Sequence, residues 1–240
     1  MAVEVDTSHL GEQKVRDKTE PFKFLFSFDF HSYIERKNPA ALIEAFRLAF
    51  PVERSDVRLI IKSINGEVFR RQYYDLLSSA AGDQRIIVSD GFLSRQQMLQ
   101  LVSGADAYVS LHRSEGFGLG LAESMYLGKA VIGTGYSGNL EFMKPDNSCL
   151  VGFSMTRLKK GDYVYGEGQY WADASIEDAA RYMRRLVDEP DYKVALGHRA
   201  AEYMRSHHSH TRSSEVAVQR LQQIQRELGL EVAATQNREQ

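Results

Sequence analysis

The run from Asp106 to Leu127 constrains this chain more than any other stretch. In order it offers a short apolar strand, Ala107 to Leu111, and a polar turn, His112-Arg113-Ser114. A glycine-rich elbow follows, Glu115-Gly116-Phe117-Gly118, and then a helix from Leu119 that stops at Gly128. A strand that delivers a glycine-rich turn to a helix N-terminus points unpaired backbone N–H groups outward, which suits an anion. The glycines let that ligand approach the backbone with no Cβ in the way. Two carboxylates, Glu115 and Glu123, bracket the elbow with seven residues between them. They would repel a bare phosphate. A ligand carrying both phosphate and hydroxyls would use both features, because carboxylates accept strongly from paired O–H donors. A nucleotide sugar has that chemistry.

Commoner phosphate motifs do not fit. A dinucleotide fingerprint needs Gly or Ala at its sixth position, and counting from Gly116 or Gly118 gives Leu121 or Glu123. A P-loop needs Ser or Thr after Gly-Lys, yet Gly128-Lys129 is followed by Ala130 and has Glu123 where the first glycine belongs. The plainer alternative is that the glycines only allow close strand–helix packing; the glutamate pair weighs against it.

Around this motif the chain resembles the retaining glycosyltransferases of the GT-B architecture (family 4-like), in the group containing sucrose synthase-like and mannosyltransferase enzymes. The resemblance is carried by an E-x7-E motif, Glu115 to Glu123, and by the flanking segments Ser110–Glu123 and Thr134–Met143, which look like bacterial polysaccharide enzymes. It runs from about Phe22 to about Leu228. It implies that Glu123 holds ribose hydroxyls and that Glu115 lies near the donor sugar. The backbone of Gly116-Phe117-Gly118, leading into Leu119, would face sugar and diphosphate. Lys37 would neutralise the departing diphosphate, so Glu115 and Lys37 are the candidate catalytic residues. The family's companion arginine falls near position 32, where this chain has Ser32. Arg36 is adjacent, though on a strand-like turn a neighbour of Lys37 would point away from it. Lys62, at a strand end, is the other candidate cation, or else is solvated there. Phe92 and Leu93 sit where the family's base-binding loop falls; the Phe92 ring either packs on the base or belongs to the core.

Composition narrows the classes. Formal net charge is −2, so no basic surface argues for nucleic acid, and no apolar run approaches the ~20 residues of a membrane span. One cysteine, Cys149, excludes an internal disulfide and fits a reducing cytoplasm. No apolar segment near the start resembles a signal peptide. His207, His208 and His210 lack a partner at ligand spacing, so no metal is expected. Glu141 falls where a dinucleotide fold keeps its ribose acid, but the glycine fingerprint is missing. His112 and Arg113 either approach the ligand or are structural.

Read in order, residues 1–20 form a polar lead-in, 21–229 the nucleotide-sugar-binding domain, and 230–240 a polar, disordered tail. Strands over Phe22–Phe30, Val57–Ser63, Arg85–Ser89, Lys129–Thr134 and Ser148–Gly152 join the central one, with helices between them. Asn38 is expected to cap a helix with Pro39 at its first position, and Ser94 with Gln97 to form a capping box. Gly135 to Asn139 opens a short helix. A long glycine- and tyrosine-rich loop covers Phe153 to Tyr170. Three helices close the chain; the last puts Ala217, Leu221, Ile224 and Leu228 on one stripe.

Strands alternating with helices at short spacing predict a doubly wound parallel sheet, Rossmann-like, with C-terminal helices. Ligands bind such sheets at the carboxyl ends of the strands, which collects loops 31–37, 62–66, 90–93, 112–118 and 135–139 on one edge. The length suits one half of a GT-B enzyme. The expected partners are therefore a nucleotide sugar, a glycan acceptor and a missing N-terminal acceptor domain, in cis or in trans. The rival reading is a non-catalytic nucleotide-sugar-binding or assembly domain.

Overall fold

The structure, a computed structural model, describes residues 1–3, 5–8 and 20–229. At its centre is β1, Phe22–Asp29. Alternate residues of a strand share a face, so Phe22, Phe24, Phe26 and Phe28 make one aromatic ladder. Neighbouring rings stand 4.7 Å apart at Phe22–Phe24 and 5.5 Å apart at Phe26–Phe28. Helix α2, Pro39–Ala49, lays Phe46 against this ladder, 6.3 Å from Phe24, and Phe50 beyond its end lies at 5.8 Å. Each buried ring contributes roughly 1.5–3 kcal/mol, which fixes β1 and α2 as the interior of the domain.

Strands β2 (Val57–Ile64), β3 (Ile86–Asp90), β4 (Ala107–Ser110), β5 (Ala130–Thr134) and β6 (Cys149–Val151) complete a parallel sheet in the order β3-β2-β1-β4-β5-β6. Flanking helices include α3 (Arg70–Ala80), α4 (Arg95–Ser103) and α5 (Leu119–Tyr126). This is the doubly wound fold expected from the sequence. The chain reverses its direction of travel across the sheet between β1 and β4, and that is where such sheets hold ligands. The seam is short there. β1 pairs with β2 from end to end, but with β4 only at Phe24–Ala107 and Leu25–Tyr108. Past it the Tyr108 hydroxyl meets Ser27 Oγ at 2.9 Å, and burial pushes that phenol up to about 12. Gly120 makes room for it, since a Cβ there would stand 2.5 Å from the hydroxyl.

Three expectations change. Asn38 does not cap α2 with its side chain: it takes a left-handed conformation, φ 53°, and ends a short turn of helix, α1 (Ile34–Lys37). Asparagine tolerates that region, and the restriction before Pro39 forbids a continuous helix. The loop from Phe153 is not structureless. It is an antiparallel hairpin of β7 (Phe153–Arg157) and β8 (Tyr170–Ala174), and β7 is largely exposed, so no buried alternation betrayed it. Within the lead-in, Val3 and Val5 are buried in the main core, and the Val3 N–H donates to His208 O at 2.6 Å. The closing helices are α6 (Ile176–Asp188), α7 (Pro190–His207) and α8 (His210–Glu227), and α8 buries no residue, leaving Leu221 and Leu228 about two-thirds exposed at 65% and 66%. The tail over 230–240 lies outside the described residues.

Candidate functional site

Because all six strands run parallel, the loops after β1, β2, β3, β4 and β5 emerge on one edge. Two of them meet across the seam. After β1, Asp29 accepts from the His31 N–H at 2.9 Å and starts a 3-10 turn over Phe30–Ser32. Tyr33, at φ 64°, redirects the chain, and its carbonyl accepts from the N–H groups of Arg36 and Lys37, both at 3.1 Å. The segment is therefore helical rather than strand-like. Successive side chains fan around one end of α1 instead of pointing apart, and both cations reach the same acid. Lys37 Nζ lies 2.6 Å from Glu115 Oε2 and Arg36 Nη1 3.6 Å from Oε1. Arg36 is held there by bonds to Ser32 O at 2.9 Å and Ser114 O at 2.7 Å.

Glu115 is anchored by its backbone. Its N–H donates to Ser137 Oγ at 2.8 Å, and its carbonyl accepts from the Gly138 N–H at 2.9 Å. Only glycine fits at 138, because a Cβ would stand 1.9 Å from Gly116 O. Burial pushes the Glu115 carboxyl up. The charge and hydrogen bond of Lys37, with Arg36 and His112 behind, outweigh burial and hold it below its ordinary range. His112 is wholly buried. Its Nε2 faces Asn139 Oδ1 at 3.0 Å and Tyr136 O at 3.4 Å, and Asn139 is oriented by its Nδ2 donating to Thr134 O at 2.9 Å. Two acceptors at Nε2 assign the proton there, so Nδ1 accepts from Ser110 Oγ at 3.1 Å. Burial lowers its pKa against the opposing charge of Glu115, and the ring stays neutral. His112 is thus the strut between the loops after β4 and β5. Arg113 is also structural. It donates to Asp173 at 2.8 Å and to Glu35 O at 2.9 Å and lies over Trp171, tying the hairpin to α1.

The elbow itself is open. Gly118 adopts φ 92° to start α5, and a Cβ on Gly116 would meet nothing within 4 Å. The Phe117 ring turns inward onto Phe142 at 4.9 Å, so this residue offers the site only its backbone. Leu119 is half exposed at 50%. One helical turn further on, Glu123 is buried, and its Oε1 meets Arg95 Nη2 at 2.6 Å.

The remaining candidates divide. Phe92 is 86% exposed, so it is not core, and Leu93 beside it is half-buried. Lys62 is buried and neither solvated nor turned to the Lys37–Glu115 pair. Its ammonium donates to the carbonyls of Ser63, at 2.7 Å, and Gly91, joining the ends of β2 and β3. Burial lowers its pKa against the pull of Asp90. Glu141 is exposed at the end of a 3-10 turn. His208 packs against Phe142 and Tyr203, and among the described residues no group of three acids, histidines or cysteines could hold a metal. No described helix is long and apolar enough to cross a membrane. Arg95, Ser137 and Asn139 were not singled out from sequence. The last two lie in a Gly-Tyr-Ser-Gly-Asn loop whose composition marks a tight turn, but nothing near Arg95 distinguishes it from a surface arginine.

Comparison with known proteins fits this geometry. The family described as Glycosyl transferases group 1 matches residues 12–203. The chain belongs to that family. Among solved structures it is similar to sucrose-phosphate synthase from Thermosynechococcus elongatus, at 18% identity and TM-score 0.61, covering 89% of this chain and 46% of that one. HepE of Anabaena, in complex with UDP and glucose, matches at 14% identity and TM-score 0.61, covering 83% and 48%. The C-terminal domain of a glycosyl transferase group 1 family protein (LpcC) from Francisella tularensis matches at 15% identity and TM-score 0.57, covering 87% and 95%. This group 1 glycosyltransferase domain thus spans about half the length of the first two structures and nearly all of an isolated C-terminal domain. No curated protein matches its sequence.

Proposed function

We propose that this domain is the donor-binding half of a retaining glycosyltransferase that moves a hexose or deoxyhexose from a nucleoside diphosphate to a glycan acceptor. The observation that carries the reading is the cluster at the β1–β4 seam: two cations and a carboxylate from opposite loops, beside an open glycine elbow and a second buried carboxylate. Each part has a use. Lys37 and Arg36 neutralise the leaving diphosphate together with the N-terminus of α5, so no metal is required. As the phosphates draw off the cations, Glu115 becomes free to accept from sugar hydroxyls. The Gly116–Gly118 backbone lies against sugar and phosphate, and Glu123 takes the ribose diol. The backbone of Phe92 and Leu93 meets the base, with the exposed Phe92 ring available to pack on it. No residue is assigned as a nucleophile.

An acceptor half, in cis or in trans, completes the cleft. The domain would act in the cytoplasm, where its lone cysteine stays reduced. Polysaccharide synthesis is the natural setting. The experiment is calorimetric titration of the domain with UDP, GDP and dTDP, then of Glu123→Ala with the tighter-binding of UDP and GDP, since dTDP carries no ribose diol. At least one should bind, and the variant should lose about tenfold or more, since charge-assisted hydrogen bonds are worth ~1.5–3 kcal/mol each. Undiminished affinity in a folded Glu123→Ala would remove the ribose assignment.

A further inference from the structure

Arg95 is the first residue of α4, after Ser94, whose hydroxyl accepts from the Gln97 N–H while the Gln97 side chain caps back onto Ser94 N. A cation at this end of a helix opposes the macrodipole, so helix formation does not explain its choice. Its pairing does. The Arg95 guanidinium meets the Glu123 carboxylate at 2.6 Å, reaching from a side chain 55% exposed to one only 9% exposed. The two belong to different helices, and Phe92 stands three residues before Arg95. A carboxylate has about four acceptor positions, and Arg95 is the partner of Oε1 alone.

We propose that Arg95 is a positioning residue for ribose recognition: it holds Glu123 in one orientation, with the rest of its acceptor capacity turned to the diol of a ribonucleotide. This rests on the donor-binding reading above and assigns what selects ribose over deoxyribose. A buried carboxylate without the arginine is free to rotate and loses its charged partner. The sugar then meets an acceptor of no fixed direction.

The test compares UDP with 2′-deoxy-UDP, and GDP with 2′-deoxy-GDP, on the wild-type domain, Arg95→Gln, Arg95→Lys and Glu123→Gln. Wild type should prefer the ribo form by about tenfold or more, and Glu123→Gln should abolish that preference. Arg95→Gln should bring it below about threefold while deoxy affinity stays within about twofold, and Arg95→Lys should restore most of it. Because Arg95 is largely exposed, both of its variants should fold, which thermal unfolding checks. If Arg95→Gln keeps the full preference while Glu123→Gln loses it, Arg95 is a surface ion pair and the inference falls alone. If Glu123→Gln also keeps the preference, or no nucleoside diphosphate binds, the ribose reading falls and takes the inference with it.

Discussion

Replacing Lys37 by Met tests the seam cluster most directly. Lys37 and Glu115 are 14% and 13% exposed and 2.6 Å apart. Breaking a fully buried pair costs about 3–5 kcal/mol because one charge is stranded, whereas an exposed pair is worth about 0–1. Here Arg36 remains 3.6 Å from the other oxygen, so Glu115 keeps part of its compensation. The expected loss at pH 7 is about 1–2 kcal/mol, between those limits. The loss depends on pH with a definite sign. Glu115 in the folded domain titrates below its ordinary 4.5. The unfolded chain therefore binds the proton first, and the stabilisation is complete above 4.5 and lost as pH falls through the lower folded value. Urea unfolding of wild type and Lys37→Met should therefore differ at pH 7 and converge in acid. The double variant Lys37→Met/Glu115→Gln should recover much of the loss, since no charge is then stranded. In binding, the variant should narrow the gap between nucleoside diphosphate and nucleoside, because only the former carries the charge. A stability loss that is the same in acid and unrelieved in the double variant would refute the argument.

Three other outcomes follow from the geometry. Phe92→Ala should leave urea stability within about 0.5 kcal/mol, since its ring is already in solvent, yet weaken nucleotide binding measured by calorimetry. Gly138→Ala should lower the melting temperature markedly, its Cβ falling 1.9 Å from a carbonyl, while Gly116→Ala should fold normally and lose diphosphate affinity. The domain alone should bind donor without transferring sugar to the acceptors of its pathway, because proximity contributes up to ~7–11 kcal/mol and the opposing wall is absent; robust radiolabelled transfer by the isolated domain would overturn the half-enzyme reading.

The sequence was most legible where local chemistry and burial agree. The aromatic run at β1, the elbow from Ala107 to Gly128 and the Ser94–Gln97 box all lie where they were expected, because their signals are short-range. Asn38 misled because the same residue suits an N-cap and a left-handed C-cap, and the choice was made by Tyr33 five residues earlier. Lys62 misled because a lysine at a strand end reads as solvated, while β2 is central enough to bury it. In retrospect its apolar neighbours, Ile60 and Ile61, were a hint. Arg36 reaches Glu115 because the segment after Tyr33 is helical, whereas strand geometry would turn it away from Lys37. The Arg95–Glu123 pair spans two helices and leaves no trace in local sequence.

The short pairing between β1 and β4 has a consequence for how this domain opens. One buried core runs beneath both sides of the seam, so an opening there is local, confined to the loops and the short ladder between them. Past Leu25 and Tyr108 the ladder between them ends. A molecule held by Lys37 on one side and by the Gly116 backbone on the other would tie the two loops together. Saturation at a hundredfold over the dissociation constant adds about 2.7 kcal/mol to global stability. A local opening that separates the two loops would be suppressed by the same amount. Amide exchange at Ser27 and Asp106, whose N–H groups donate across the seam to the Tyr108 hydroxyl and to Lys23 O, should then slow in step with ligand concentration, although neither residue lies in the loops that would hold the ligand.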